Sequence, residues 1–535
     1  MMQSEILIRQ ARLALSQRDW TSVSDCAQQL MQRAPQNPEA WFLRAMAHRA
    51  GRRNQAALRD FEQCLALDPA RYDAAIELAS ICWQQLQHAR AADLLKRYQS
   101  ACQNSPMYCH KAGEVYRRLG LHEMAYASFK QALALQPEID QFKASFANAA
   151  TLVGDIDGAE QCLRALLEKY PEHQRHHNEL AKLKRAQDDQ HVDQMIRLLK
   201  SGHKGDEQCI FLLYAIAKEL EDLEQWAAAF DYYSRAGAAA ASVAKRSGYR
   251  VEADIRLMQS VVKHCSAAWL QLPEVEPDGA SRPSSTQTPI FVVGLPRTGT
   301  TLVERILSSH SQVESVDESF FMSIAIKQLI ADSTTSVTAP LTPGDVERAR
   351  LIDFSQLATR YVDLVRYRLT DRPYFVEKYP FNFLYLGFIA KAFPQSRIVY
   401  LHRDPMDACF AMFKQSYFQF AYDLNDLAQY YVAYDELQRH WQSVLGDRLV
   451  NVSYERLVDE PEVHIPQLLS SLNLDFESAC LHFYANQKAS ATASSVQIRE
   501  KMHTRSVGKW RHWREQLTPL TDALHTAGVL HESER

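Results

Sequence analysis

Two stretches hold the residues best suited to chemistry. The first, PIFVVGLPRTGTTLVERILSSH (289–310), reads as a buried strand, a tight glycine-containing turn and an amphipathic helix. Such a turn aims free backbone N–H groups and the positive helix end at a bound anion, and Thr300 and Thr301 add hydroxyl donors. The loop is P-loop-like but lacks the GK[ST] ending, and a guanidinium, Arg297, sits inside it. An ATP-using loop needs its lysine for the β- and γ-phosphates, so the exchange suits a ligand with less charge at the transferred end. The second stretch, EKYPFNFLYLGFIAKAFPQSRIVYLHRDPMDACFAMFK (377–414), has a strand, then His402-Arg403-Asp404-Pro405, then a helix. Arg403 therefore stands where a strand ends, at the mouth where open α/β sheets bind ligands. Its planar fork matches a phosphate. Lys378 closes the apolar run YFVEK, an expensive place for an ammonium without a task.

The elements that position these residues follow from pattern. Short β-branched runs at IFVVG (290–294), YFVEK (374–378), RIVYL (397–401) and RLVNVSY (448–454) alternate with helical stretches. This predicts an α/β domain with a mainly parallel sheet over 289–535. Ahead of it, PEVEPDGASRPSSTQTP (273–289) has linker composition, and the expected linker spans 266–288. Residues 1–265 repeat with a period of 34: small residues at Ala45, Ala79, Gly113 and Ala147, a second small column at Ala57, Ala91, Ala125 and Ala159, and bulky Phe61, Leu95, Phe129 and Leu163. Pro35, Pro69, Pro137 and Pro171 close units. Small residues let paired helices approach, the bulky residue fills the seam, and proline stops the second helix. The pattern resembles the tetratricopeptide repeat, best in PMYCHKAGEVYRRLGLHEMAYASFKQALALQP (106–137), with weaker copies at 3–35 and near 210–240 and an irregular helical pair over 173–205. The expected fold is thus α + α/β: an all-α tetratricopeptide-repeat solenoid followed by a P-loop-like α/β domain. Stacked repeats commonly bind a protein or peptide; bracing of the second domain is the other reading.

Composition is that of a soluble globular protein. The 535 residues are 46% hydrophobic and 23% charged with a net charge of −4, which gives no argument for nucleic-acid binding. The N-terminus lacks the apolar core of a signal peptide and no membrane span is expected. Ten scattered cysteines form no CxxC pair, so neither a zinc ribbon nor a thioredoxin-like site is expected. Buried thiols in a reducing compartment fit better, and the expected location is cytoplasmic.

Taken together, the loop at 289–310 and the segment 377–414 resemble the sulfotransferase family that uses 3′-phosphoadenylyl sulfate, the first matching its 5′-phosphosulfate loop and the second its 3′-phosphate motif. VNVSYERLVDEPE (450–462) and RSVGKWRHW (505–513) fit the family's later strand and its C-terminal cofactor-contacting segment. The resemblance covers 289–535 and leans to the tyrosylprotein sulfotransferase-like branch, whose bacterial members often carry tetratricopeptide repeats. It implies sulfuryl transfer to a hydroxyl on a peptide, glycan or small molecule, with protein tyrosine suggested by the branch, and release of 3′,5′-ADP; no Asp/Glu pair with metal spacing accompanies these residues, so no metal is expected. It places the catalytic glutamate 21 residues after the loop arginine, at Glu318, with Asp317 the adjacent rival, Glu314 a third choice, and a helix-capping role the alternative. Lys378 and Arg297 then stabilise charge on the bridging oxygen. Donor contacts carry over to Arg297, Thr298, Gly299, Thr300, Thr301, Arg403 and Tyr454, and with a looser alignment to Ser495, Arg505 and Lys509. Where the family has a serine eight residues after the motif arginine, this chain has Ala411, for which Lys414 or Ser416 are the available substitutes. Trp510 and Trp513 read equally as core or adenine contacts. A histidine base, His310 or His402, is the mechanistic alternative. An atypical P-loop kinase and a non-catalytic repeat scaffold with an inert nucleotide-binding domain are the functional ones.

Overall fold

The computed structural model describes residues 2–201, 205–272, 287–330, 336–492 and 495–530. Residues 273–286, the greater part of the expected linker, lie outside them. The chain forms two compact units, Met1–Val153 and Gly154–Arg535. This division falls inside the helical stretch expected over 1–265.

The first unit is a run of antiparallel helices from Met2–Ser16 to Asp140–Val153. The small columns do what the spacing requires: Ala45, Ala79, Ala57, Ala91 and Ala125 are fully buried, and Phe61, Leu95 and Phe129 fill the seams between them. Gly113 shows why a column must be small, since a Cβ there would lie 2.7 Å from the Phe129 ring. Prolines 35, 69 and 137 each fall two residues after a helix end, at Arg33, Leu67 and Leu135.

The second unit begins with further helices, Ile156–Lys169 through Ala267–Gln271, including the weak repeat copy Ile210–Asp222 and Trp226–Arg246. Its sheet has five strands, all parallel: β1 (Thr288–Val293), β2 (Val313–Asp317), β3 (Tyr374–Glu377), β4 (Arg397–His402) and β5 (Leu449–Ser453), in the order β2-β3-β1-β4-β5. Central β1 is buried along Ile290, Phe291, Val292 and Val293, as a strand covered on both faces must be. Four of the strands coincide with the apolar runs. β2 does not, for VESVD carries polar residues at three of its five positions. Buried Glu314 is satisfied there by the Thr370 N–H and Oγ1–H, at 2.7 Å each, and by Gln287.

Within this unit the helices after Gly154 pack directly on the α/β part. The Trp513 indole N–H donates to Trp226 O at 2.6 Å, and His512 stacks on the Trp226 ring at 4.1 Å. His440 bonds Cys265 O, and Trp269 sets its edge against Phe354 and Phe388. Trp510 and Trp513 are core residues, 3% and 0% exposed. All ten cysteines are free thiols, and all but Cys26 are buried. No helix among the described residues is long and apolar enough to cross a membrane.

Candidate active site

Each strand delivers candidate chemistry at its C-terminal end, because parallel strands present all their C-termini on one edge of the sheet. The loop after β1 carries Arg297 to Thr301. Asp317 ends β2 and Glu318 follows it, Lys378 follows β3, Arg403 follows β4, and Tyr454 follows β5.

The β1 loop is shaped by left-handed residues. Arg297 has φ 69°, and Gly299, φ 99°, caps the helix Thr300–Ser308. A Cβ at Gly299 would lie 2.5 Å from the Tyr454 ring, so only glycine lets the loop pass beneath that tyrosine. A non-glycine residue held at positive φ stores strain of about 1–3 kcal/mol, a cost that clusters at functional sites. Thr298 Oγ1–H closes the turn onto Leu295 O at 2.6 Å, and Thr298, Thr300 and Thr301 are buried. Burial pushes the Arg297 guanidinium below its ordinary range, with Tyr417 opposing and Arg403 adding to the fall.

Glu318 sits on Lys378, whose ammonium donates to its carboxylate. The Lys378 side chain is 0% exposed and lies 4.0 Å from Asp317, while Glu318 keeps 36% exposure. Packing raises the Glu318 carboxyl above the usual range; Lys378 opposes this and Asp317 adds to it. Asp317 is otherwise engaged, accepting the Ala491 N–H at 3.3 Å from a left-handed backbone. Glu314 holds the Thr370 loop. Neither histidine has a nitrogen to spare. His310 accepts from Gln312 N and donates to Asp475 O, and His402 lies between Gln438 and Asn451.

Arg403 joins the β1 loop to the C-terminal segment. One Nη donates to Arg297 O and the other to Ser506 O, each at 2.7 Å, and the guanidinium lies over the Tyr454 ring at 4.6 Å. Its buried Nε has no hydrogen-bond partner. Tyr454 Oη in turn meets Ser506 Oγ at 2.7 Å. Lys509 and Lys414 converge on Glu221, from the helix Ile210–Asp222, at 2.6 and 2.8 Å, and Tyr233 Oη donates to the same carboxylate. Burial alone would raise Glu221, but Lys414 and Lys509 outweigh it and hold the carboxyl at about 2. Ser495 is buried. Ser416 offers its carbonyl to Tyr422. Arg505 pairs with Glu500 on the surface, away from the other candidates among the described residues.

Sequence reasoning missed Ser506, Glu221 and Tyr417. Ser506 stands inside the C-terminal segment already singled out. The Tyr417 phenol, 47% exposed, has its pKa raised chiefly by desolvation, with Arg297 opposing and Glu318 adding to the rise, so both charges act on it. Apart from lying three residues beyond Lys414, nothing in the pattern marked it.

Residues 289–478 match the profile of the sulfotransferase family, and 38–71 and 107–139 match tetratricopeptide-repeat profiles. The chain is 32% identical over 263 residues to an Aquifex aeolicus (strain VF5) protein described only as uncharacterized, covering 47% of this chain and 34% of that one. It is 23% identical over 230 residues to a putative protein-tyrosine sulfotransferase of Caenorhabditis briggsae, covering 41% of this chain and 80% of the relative. With protein-tyrosine sulfotransferase 1 of Danio rerio it shares 25% identity over 205 residues, or 36% of this chain and 55% of that protein. The matched region thus spans about a third and about half of the Aquifex and Danio proteins. The fold and the profiles together define helical repeats followed by an α/β domain with a five-stranded parallel sheet. The chain has tetratricopeptide-repeat–sulfotransferase architecture, its sulfotransferase-family region lying at 289–478.

Proposed function

We propose that this chain transfers a sulfuryl group from 3′-phosphoadenylyl sulfate to a hydroxyl acceptor, releasing 3′,5′-ADP, and that protein tyrosine is the acceptor class to test first. The observation that carries the reading is the Glu318 carboxylate seated on Lys378 beside a strained, arginine-bearing anion loop. The protein-tyrosine names of the relatives support the acceptor class.

The donor site fits an anionic nucleotide on the chain's own features: the N-terminus of the helix Thr300–Ser308, the Gly299 cradle under Tyr454, and the orphaned Arg403 Nε. Glu318 takes the proton of the acceptor hydroxyl, whose oxygen then forms a bond to sulfur as the bond from sulfur to the 5′-phosphate oxygen breaks. The electron pair leaves on that bridging oxygen, where Lys378 and Arg297 stabilise it. The proton ends on Glu318. Raising the carboxyl above its usual range makes it a stronger base once ionised. We assign the repeats to recruitment of a protein or peptide.

The test is transfer of labelled sulfuryl groups from 3′-phosphoadenylyl sulfate to a panel of tyrosine peptides, glycans and phenols. Label on a hydroxyl, lost in Glu318→Gln, is the expected result. Full transfer by Glu318→Gln would overturn the mechanism.

A further inference from the structure

The β2–β3 ladder ends on two side-chain rungs. Asp317 and Glu377 form its last backbone pair, and Lys378 N–H reaches back to Asp317 O at 3.3 Å. Beyond that point Glu318 meets Lys378, and the next residue, Ser319, donates its hydroxyl to Glu377. Neighbouring strand residues point to opposite faces, so Glu377 is directed away from Lys378 and into the core. There it is 0% exposed, and its second oxygen accepts from Tyr361 Oη–H at 2.6 Å.

A fully buried carboxyl held by two hydroxyl donors, with Asn382 beside it and no cation in direct hydrogen-bond contact among the described residues, is costly where an apolar residue would fill the space. Its placement, one rung behind the acid and cation of the site, gives that cost a use. We propose that Glu377 is a positioning residue that fixes Glu318 against Lys378 through the hydrogen bond it accepts from Ser319. The proposal rests on the reading of Glu318 as the base.

The ionised carboxyl is acceptor-only, so both hydroxyls donate to it. Protonation removes the negative charge that strengthens the bond from Ser319 and turns one carboxyl oxygen into a donor, which weakens the hold on Ser319. The groups that face it are Ser319 after β2, Tyr361 from the helix Phe354–Val365, Asn382 from the turn Pro380–Tyr385 and Arg368 from the turn Arg366–Arg368. Asp317, Lys378 and Tyr379 adjoin it along the strands. Burial pushes the carboxyl up to about 7 against the opposing pull of Ser319, Tyr361 and Asn382. Turnover therefore carries an ionisation in the neutral range, active in the deprotonated form.

The experiment compares pH profiles of kcat for the wild type, Glu377→Gln, Ser319→Ala and Glu318→Gln. The affinity for 3′,5′-ADP and the infrared band of a buried protonated carboxyl are followed alongside. Glu377→Gln is expected to lower kcat about 10- to 100-fold, the scale of a sub-ångström to ångström misplacement. It should also remove the neutral-range ionisation and the infrared band that titrates with it, while 3′,5′-ADP affinity stays within about twofold. Ser319→Ala should lower kcat in the same direction and uncouple it from that ionisation. A wild-type profile and kcat in Glu377→Gln, with Glu318→Gln inactive, would overturn the proposal and leave the base assignment standing. If Glu377→Gln fails to fold, an unaltered profile in Ser319→Ala overturns it equally. An active Glu318→Gln would remove the base, and the proposal with it.

Discussion

Asp317 and Glu318 are consecutive carboxylates that both reach Lys378, and their other contacts separate them. Asp317 is spent on Ala491 N–H, whereas Glu318 keeps a partly exposed carboxylate with Lys378 as its partner. Glu318→Gln should therefore lower turnover by about 10²–10⁴-fold, the usual range for a general base, with 3′,5′-ADP binding nearly unchanged. A base at Glu318 would work ionised, so turnover should fall as the pH drops through its raised pKa. The acidic limb should sit above the ordinary carboxylate range in the wild type and be absent in the variant. Asp317→Asn should cost far less, read by the same kcat. His310→Ala and His402→Ala should keep the carboxylate-dependent limb, since both rings are already committed to structural bonds. Arg403 spans Arg297 O and Ser506 O and stacks on Tyr454. If it also grips the donor's 3′-phosphate, its replacement by alanine should raise the donor KM more than it lowers kcat, because such a contact would be made equally in ground and transition states.

At the scale of elements, the strand ends explain why residues as distant in sequence as Arg297 and Tyr454 share one edge of the sheet. That much could be read from apolar runs followed by charged residues, as could the helix pairs from their small and bulky columns. β2 was not legible, because its buried Glu314 is accommodated by Thr370, 56 residues away, which no local pattern reports. The Glu221 clamp was hidden for the same reason, as Lys414 lies 193 residues from it. Lys414 and Lys509, read as donor-contact candidates, turn out to share this one carboxylate, and Arg505 lies on the surface with Glu500. Glu221→Ala strands Lys414 in the interior. It should destabilise the second unit by about 3–5 kcal/mol, the cost of breaking a buried pair from one side, measured by denaturant unfolding. The folded-state carboxyl is depressed from 4.5 to about 2, so its contribution is present above the unfolded value and is lost as pH falls through that window. Glu221→Ala should show a flatter acid unfolding profile there than the wild type.

For the whole molecule, the boundary that matters is the one in packing. The helices from Ile156 to Gln271 share Trp226, Cys265 and Trp269 contacts with the sheet-bearing part, so they belong to the second unit although their pattern is helical-repeat-like. A chain starting at Gly154 should fold and bind 3′,5′-ADP within about twofold of the full chain. One starting at Gln287 loses Glu221 and exposes that packing surface, and should aggregate. Size-exclusion chromatography with nucleotide titration checks both. If 1–153 recruits the acceptor, the Gly154 chain should keep nucleotide affinity and lose turnover on a peptide.

The account as a whole depends on the sheet edge being a donor site for a 3′-phosphorylated adenine nucleotide. Calorimetric titration of the full chain with 3′,5′-ADP, set against ATP with Mg²⁺, measures this directly. The loop arginine in place of lysine and the arginine at the end of β4 predict saturable binding of 3′,5′-ADP, with an upward shift of the melting temperature by mass action, and neither effect from ATP. Equal binding of both nucleotides, or binding of neither, would contradict it.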